Sequence, residues 1–346
     1  MRAAWLTGCK QLDIREIELP APSDGQLLID VVGCGVCGSN LHEWHSAHAG
    51  ANSGPGATGH EIVGVVAGFG GTTSGFAVGD AVVIEPSAIR ACQNCPACAD
   101  GATWFCAHKT GAVTYGFADQ MVVPAAAAYR VPVGVDLDVA VLTEPIACGV
   151  HAVRHSWTAR VDGRVDGLDV VVLGAGMLGL GSIAAAKWLG AASVTAVARH
   201  RHQAEAATIA GATRVLSDSE TGLSGTLRRI RPSMVIEAVG GTAGTLSLSA
   251  EAVGWRGEVV VVGAFEKPQP VNVGALTARE IRMFFPVSYA ARDGVHDFQV
   301  ALDLLSAHPD FRGFVTHRLP LENINEAFAL ANDKTSGSLR VLVGSA

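Results

Sequence analysis

The sequence predicts an α/β protein, with a helix-covered parallel sheet in its second half and a β-rich first half that carries a small cysteine lobe. Three observations lead there. From residue 169 onward, strand-length apolar runs alternate with helix-length amphipathic ones. The first of those runs ends in Gly174-Ala175-Gly176-Met177-Leu178-Gly179, at a strand-to-helix turn. Upstream lie all eight cysteines, four of them spaced Cys92-x2-Cys95-x2-Cys98-x7-Cys106.

Length and composition set the outer bounds. At ~150 residues per domain, 346 residues suggest two domains. The chain is 49% hydrophobic and 16% charged, against an average of ~25% charged, which excludes disorder and implies extensive burial. A net charge of -7 disfavours nucleic acid as a partner, because that affinity comes from Lys and Arg on phosphates. The 41 glycines follow no G-X-Y period, so they mark turns and close backbone approaches rather than collagen. Residues 1–20 lack the apolar core of a secretory signal, and a cytoplasmic location is expected. Residues 170–186 carry no charge, but four glycines interrupt them and Lys187 ends them short of the ~20 residues a membrane span needs. A small-molecule substrate, with no membrane and no nucleic acid, is the expectation.

In chain order, the first chemical pattern is Gly33-Cys34-Gly35-Val36-Cys37-Gly38-Ser39-Asn40-Leu41-His42, followed by Gly59-His60-Glu61. Cys37, His60 and Glu61 are zinc-ligand types on two loops, and the glycines let backbone crowd a centre. Residues 43–58, with Trp44, His45 and His48, are expected to line or cover a pocket. Next comes the lobe at about 88–110. Thiolates three apart in a loop can converge on one ion at ~2.3 Å, which suits tetrahedral zinc. Without a secretory signal disulfides are disfavoured, and the last gap is too long for a bacterial ferredoxin cluster. Zinc with four thiolates has no open position, so Cys92, Cys95, Cys98 and Cys106 point to a structural ion. Further on, Pro145 reads as a first helical residue with Glu144 at its cap, and Glu144 and Cys148 share a helix face.

The second half reads as a dinucleotide-binding sheet. Its first strand spans 169–173 and its helix runs to about Leu189. Further strands are predicted at about 193–197, 214–216, 233–238, 258–262 and 281–287, with helices at about 202–210, 222–230 and 242–252. In the glycine motif the first glycine turns the chain, the second admits the pyrophosphate and the third packs helix on strand. The end of the second strand selects the cofactor. An NAD protein usually places an acid there; here Val197 is followed by Ala198-Arg199-His200-Arg201. Arg199 and Arg201 suit a 2′-phosphate, because guanidinium pairs bidentately with phosphate, so NADP(H) is expected over NAD(H).

Taken together, these residues resemble the zinc-dependent medium-chain dehydrogenase/reductase superfamily. The likeness covers the Cys37 loop, Gly59-His60-Glu61, the cysteine lobe, the glycine motif and Gly337-Ser338-Leu339-Arg340-Val341. Glu144-Pro145 is similar to the polyol, sorbitol and threonine dehydrogenase branch. The resemblance implies a Rossmann domain at 151–289 inserted in a GroES-like β-rich catalytic domain at 1–150 and 290–346. It also implies a homodimer or homotetramer.

Residue by residue, it implies Cys37 and His60 as catalytic zinc ligands and Glu61 as a carboxylate that ligates directly or stands behind the ligands. Ser39 and His42 match the inner and outer members of a proton relay. Leu178 lies in the cofactor motif with Gly174, Gly176 and Gly179. Val262-Gly263-Ala264 falls where backbone meets nicotinamide, and Arg340 matches a pyrophosphate contact. Asn40 stands where an aspartate commonly supports the ligating histidine, which implies a weaker donor at His60. Both Glu144 and Cys148 align with a third ligand. One thiolate, one neutral imidazole and one further anion leave the zinc centre neutral and Lewis acidic, so one of Glu61, Glu144 and Cys148 completes the set, with Glu144 preferred over Cys148.

The implied reaction is reversible hydride transfer between a secondary alcohol or polyol and NADP⁺, with two zinc ions per chain. Two alternatives stand beside it: an NADPH-dependent reductase of an activated C=C or C=N bond, and a non-catalytic nucleotide-binding protein with structural zinc.

Overall fold

A ten-residue strand, Gln26–Gly35, organises the first half of the chain in the computed structural model, which describes residues 1–46, 59–71, 75–110, 116–159 and 161–344. Alternation along it buries Leu27, Ile29 and Val31 and leaves Asp30 exposed. It pairs antiparallel with Glu61–Phe69 on one side and with Gln120–Pro124 on the other. At its far end Gly35 pairs with Leu342 of the strand Arg340–Val343. Ala81–Ile84, Ala128–Arg130 and Val315–Leu319 complete a seven-stranded sheet. Leu27, Ile29, Ile62, Val82, Met121 and Phe328 share its core. A hairpin, Arg2–Gly8 with Gln11–Glu16, stands beside it.

The second half folds as six parallel strands. Their order is Arg214–Ser217, Ser193–Ala198, Asp169–Leu173, Met234–Glu237, Glu258–Val261, Arg282–Phe284. This is the dinucleotide-binding order, in which the sheet reverses direction between its first and fourth strands in sequence. The helices Met177–Trp188, Arg201–Ile209, Leu223–Ile230 and Thr245–Ala252 connect them. Strand ends agree with the sequence reading to within a residue or two, save the last. It stops at Phe284 rather than 287, and Pro286 has no N–H to continue a ladder. The last of these helices starts at Thr245 rather than 242, because Gly240 and Gly241 hold a left-handed turn with φ of +63° and +61°. A short helix, Val273–Thr277, had no clear signal; Asn272 caps it, accepting from Ala275 N–H at 3.0 Å.

The chain divides into two units, Met1–Glu144 with Leu305–Ala346, and Pro145–Leu304. The sequence reading put these divisions at 150 and 290. The divisions after Glu144 and Leu304 both fall inside helices, Thr143–Arg154 and Asp297–Ala307, where no turn residue marks a change. Pro145 is the third residue of its helix, not the first; the first-turn N–H groups have no intrahelical acceptor, so proline is tolerated there. Among the described residues no helix is long and apolar enough to cross a membrane.

Candidate active site

Strand register brings two distant loops together. Gly35 pairs with Glu61, so Cys37, just past one strand, meets His60, just before the other. Ligand atoms of Cys37, His60 and Glu61 all lie within 4.8 Å of one another. Cys37 opens the helix Gly38–Ser46, and buried Asn40 accepts its N–H at 3.0 Å, the back-reaching half of a capping box. Gly35 must lack a side chain, since a Cβ there would collide with Glu61 Oε2 and press on Arg340.

Glu61 is fully buried, and among the described residues neither carboxylate oxygen has a hydrogen-bond donor. Burying such a group unpaired is costly. Arg340 supplies a counter-charge, with Nη2 3.0 Å from Oε1, and its guanidinium also donates to Val36 O. Acceptor capacity nevertheless remains on the carboxylate beside a thiol and an imidazole, and that donor set fits a zinc ion. The state of His60 points the same way. Burial pushes its pKa down, but the hydrogen bond and charge of Cys37, then Glu144 and Glu61, outweigh it and raise the imidazole to about 10. This excess of negative charge is what a divalent cation would neutralise. Exposed Ser39 places Oγ 3.5 Å from His60 Nε2, and His42 is exposed three residues further along the same helix. Glu144 stands in the first turn of Thr143–Arg154 within electrostatic reach of His60, while Cys148 belongs to the second unit.

In the cysteine lobe, Sγ of Cys98 is 3.5 Å from that of Cys95 and 4.0 Å from that of Cys92, and Cys92 N–H donates to Cys106 Sγ at 3.3 Å. Tetrahedral bonds of ~2.3 Å would place sulfurs ~3.8 Å apart, so the four fit one zinc ion. None of the eight cysteines, all of them among the described residues, is joined in a disulfide. A backbone hydrogen bond from Cys98 lowers Cys95 to about 6, whereas burial and then the neighbouring thiols push Cys98 up to about 12. The lobe contributes little core: Trp104 and Phe105 are exposed.

At the carboxyl edge of the parallel sheet each motif glycine has a distinct use. Gly174 has φ +98°, and a Cβ on it would press on Ala238 and Val239. Gly176 faces open space, and a Cβ on Gly179 would collide with Gly174 O. Leu178 lies in the first turn of the helix that follows. At the next strand end Arg199 Nε donates to Asp218 Oδ2 at 2.7 Å and Arg201 Nε to Glu205 Oε1 at 2.8 Å. Gly263 N–H donates to Glu237 O at 3.0 Å, and Ala264 O accepts from Gly241 N–H at 2.7 Å.

The family described as alcohol dehydrogenase GroES-like domain matches residues 23–133, and that described as zinc-binding dehydrogenase matches residues 178–307. A 2-dehydro-3-deoxy-L-galactonate 5-dehydrogenase from Pseudoalteromonas atlantica is 30% identical over 97% of both chains. The chain belongs to the zinc-dependent medium-chain dehydrogenase family. Two solved dehydrogenases share its fold. One, an alcohol dehydrogenase from Escherichia coli complexed with NADH, is 26% identical with a TM-score of 0.84, covering 100% of this chain and 99% of that one. The other, a zinc-binding dehydrogenase from Sinorhizobium meliloti bound to NADP, is 24% identical with a TM-score of 0.82 over 99% of each chain. The protein is therefore a zinc-binding dehydrogenase.

Some contacts in this dehydrogenase carried no sequence signal. Arg340 is buried against Glu61 through strand pairing between chain ends. Glu237 is buried at the end of its strand, where Oε1 accepts from Val239 and Gly240 N–H and the Thr245 hydroxyl, closing the turn beside Gly263. A second imidazole–carboxylate cluster joins His151, His155 and Asp297. Of the residues expected over a pocket, Trp44 packs in the core on Phe328, His45 Nε2 lies 2.8 Å from Asn332 Oδ1, and His48 lies outside the described residues.

Proposed function

We propose that the chain catalyses reversible, zinc-dependent hydride transfer between a secondary alcohol of a polyol or sugar acid and NADP(H). One observation carries the reading: a buried carboxylate, without hydrogen-bond donors among the described residues, converges with a thiol and an imidazole beside an exposed hydroxyl. Cys37 and His60 hold the catalytic zinc, with Glu61 or Glu144 completing the set and Cys148 as the alternative to Glu144. Zinc held there would supply Lewis acidity at the substrate oxygen, and a bound nicotinamide would supply the hydride acceptor or donor. Ser39 takes the substrate's hydroxyl proton and passes it to His42, whose exposure lets it exchange with solvent. Arg340 balances the charge of Glu61 within the buried pair; a further contact to the cofactor pyrophosphate is the role its position in the family motif suggests.

In the second unit, backbone at Gly174, Gly176, Leu178 and Gly179 cradles the pyrophosphate, and Gly263 and Ala264 present backbone to the nicotinamide. Arg199 and Arg201 meet the 2′-phosphate. Cys92, Cys95, Cys98 and Cys106 hold a second, structural zinc. The domains follow the inserted arrangement, and the assembly is a homodimer or homotetramer in the cytoplasm.

The relative from Pseudoalteromonas atlantica is named for a sugar acid, which makes sugar acids and polyols the first substrates to try. The test is absorbance at 340 nm with a panel of both classes and both cofactors. Zinc-reversible loss of the signal on chelation, and its absence in Cys37→Ser, are expected. Turnover that survives in Cys37→Ser would overturn the reading.

A further inference from the structure

Parallel pairing sets Ser217 opposite Ala198, and Asp218 N–H donates to Ala198 O at 3.1 Å. That register puts the Asp218 carboxylate against the Arg199 guanidinium, at 2.7 Å from Nε, with both side chains part-exposed at 34% and 68%. We propose that Asp218 is a specificity-determining residue, one that weakens the chain's preference for the phosphorylated cofactor and lets it accept both. The inference rests on the reading above in which Arg199 meets the 2′-phosphate.

Two effects of Asp218 oppose each other. By engaging Nε it orients the guanidinium, which helps any anion that Arg199 receives. By its charge it neutralises Arg199 and repels a phosphate that brings about -1.5 to -2 charges. The orienting effect is small, because exposed ion pairs hold their geometry weakly. Repulsion by a dianion is larger, so the net effect is to weaken phosphate binding. A cofactor without the phosphate meets no such repulsion, and a carboxylate at a strand end is the group such sheets use to accept from a ribose hydroxyl. Asp218 thus stands one strand away from where that acid is usually sought. Arg201, the other arginine of this turn, is paired through Nε with Glu205 one helical turn further on.

The test measures Kd for NADPH and for NADH by calorimetry in the wild type, Asp218→Asn, Asp218→Ser and Arg199→Ala, at low and high salt. Both Asp218 variants should tighten NADPH by about threefold to tenfold, with NADH unchanged or weaker, and the gain should shrink as salt is added. An unchanged or lowered NADH-to-NADPH Kd ratio in both Asp218 variants overturns the proposal. If Arg199→Ala weakens both cofactors equally, the phosphate role of Arg199 fails and the Asp218 proposal falls with it. If Arg199→Ala is selective for NADPH and the Asp218 variants are silent, only the Asp218 proposal fails.

Discussion

Among the described residues, imidazole and carboxylate gather at two places, with different outcomes. At Cys37, His60 and Glu61, neither carboxylate oxygen has a hydrogen-bond donor among the described residues, and the one cation in contact is Arg340 on Oε1. At His151, His155 and Asp297 the carboxylate is equally buried but satisfied. It accepts from His151 Nδ1 at 2.9 Å, Ala290 N–H at 2.9 Å and Arg154 Nη1 at 3.1 Å, and His155 Nε2 lies 3.2 Å away. Ligand types alone do not mark a metal site. What separates the two is whether the carboxylate's lone pairs are already used, since a buried anion is held either by donors or by a cation.

The largest expected difference lies in turnover. Cys37→Ser should abolish it and leave the melting temperature close to wild type, whereas His155→Ala should leave zinc content and turnover intact. Loss of zinc in His155→Ala would place an ion at the satisfied cluster and break the comparison. Ser39→Ala comes next. Its turnover should fall ~10²- to 10⁴-fold with zinc content unchanged, as for loss of a general acid–base group. An unaltered pH–rate profile would remove Ser39 from the proton path.

Stability should respond at both clusters. Glu61→Gln strands Arg340 as a buried charge and Asp297→Asn strands Arg154, and such losses cost about 3–5 kcal/mol. Added zinc should change the cost for Glu61→Gln alone, read from urea midpoints with and without the metal. The remaining effects are those of pH, and they have opposite signs in metal-free protein. The His60 pKa is raised from 6.5 to about 10, so its contribution is complete below 6.5 and lost as pH rises through 10. Burial pushes the Asp297 carboxyl up, but hydrogen bonds from His151 and His155 more than reverse this and hold it below its ordinary 3.8. Its contribution is present above that value and lost as pH falls beneath it. His60→Ala should remove the alkaline limb and Asp297→Asn the acid one.

How far the sequence revealed each region follows from how local its signal is. The glycine motif and the cysteine lobe each sit in one short stretch whose spacing carries the geometry, and both were legible. The strands of the parallel sheet were legible as well, since each is a bounded apolar run. Cys37 and His60 were legible as ligand types, but what brings them together is the pairing of Gly35 with Glu61. The Arg340–Glu61 pair, the Asp297 network and the Arg199–Asp218 contact join residues 19 to 279 positions apart, through register and burial that no local pattern encodes. The helix that starts at Thr143 rather than Pro145, and the strand cut short before Pro286, show that boundaries depend on which backbone groups find partners.

Zinc analysis on preparations of known activity tests the account most directly. Fully active wild type should hold about two zinc ions per chain, one of which leaves under mild chelation together with the activity. Cys37→Ser should keep the tightly held ion, and Cys95→Ser should lose it and unfold at lower temperature. At most one zinc ion per chain in fully active protein would contradict the account.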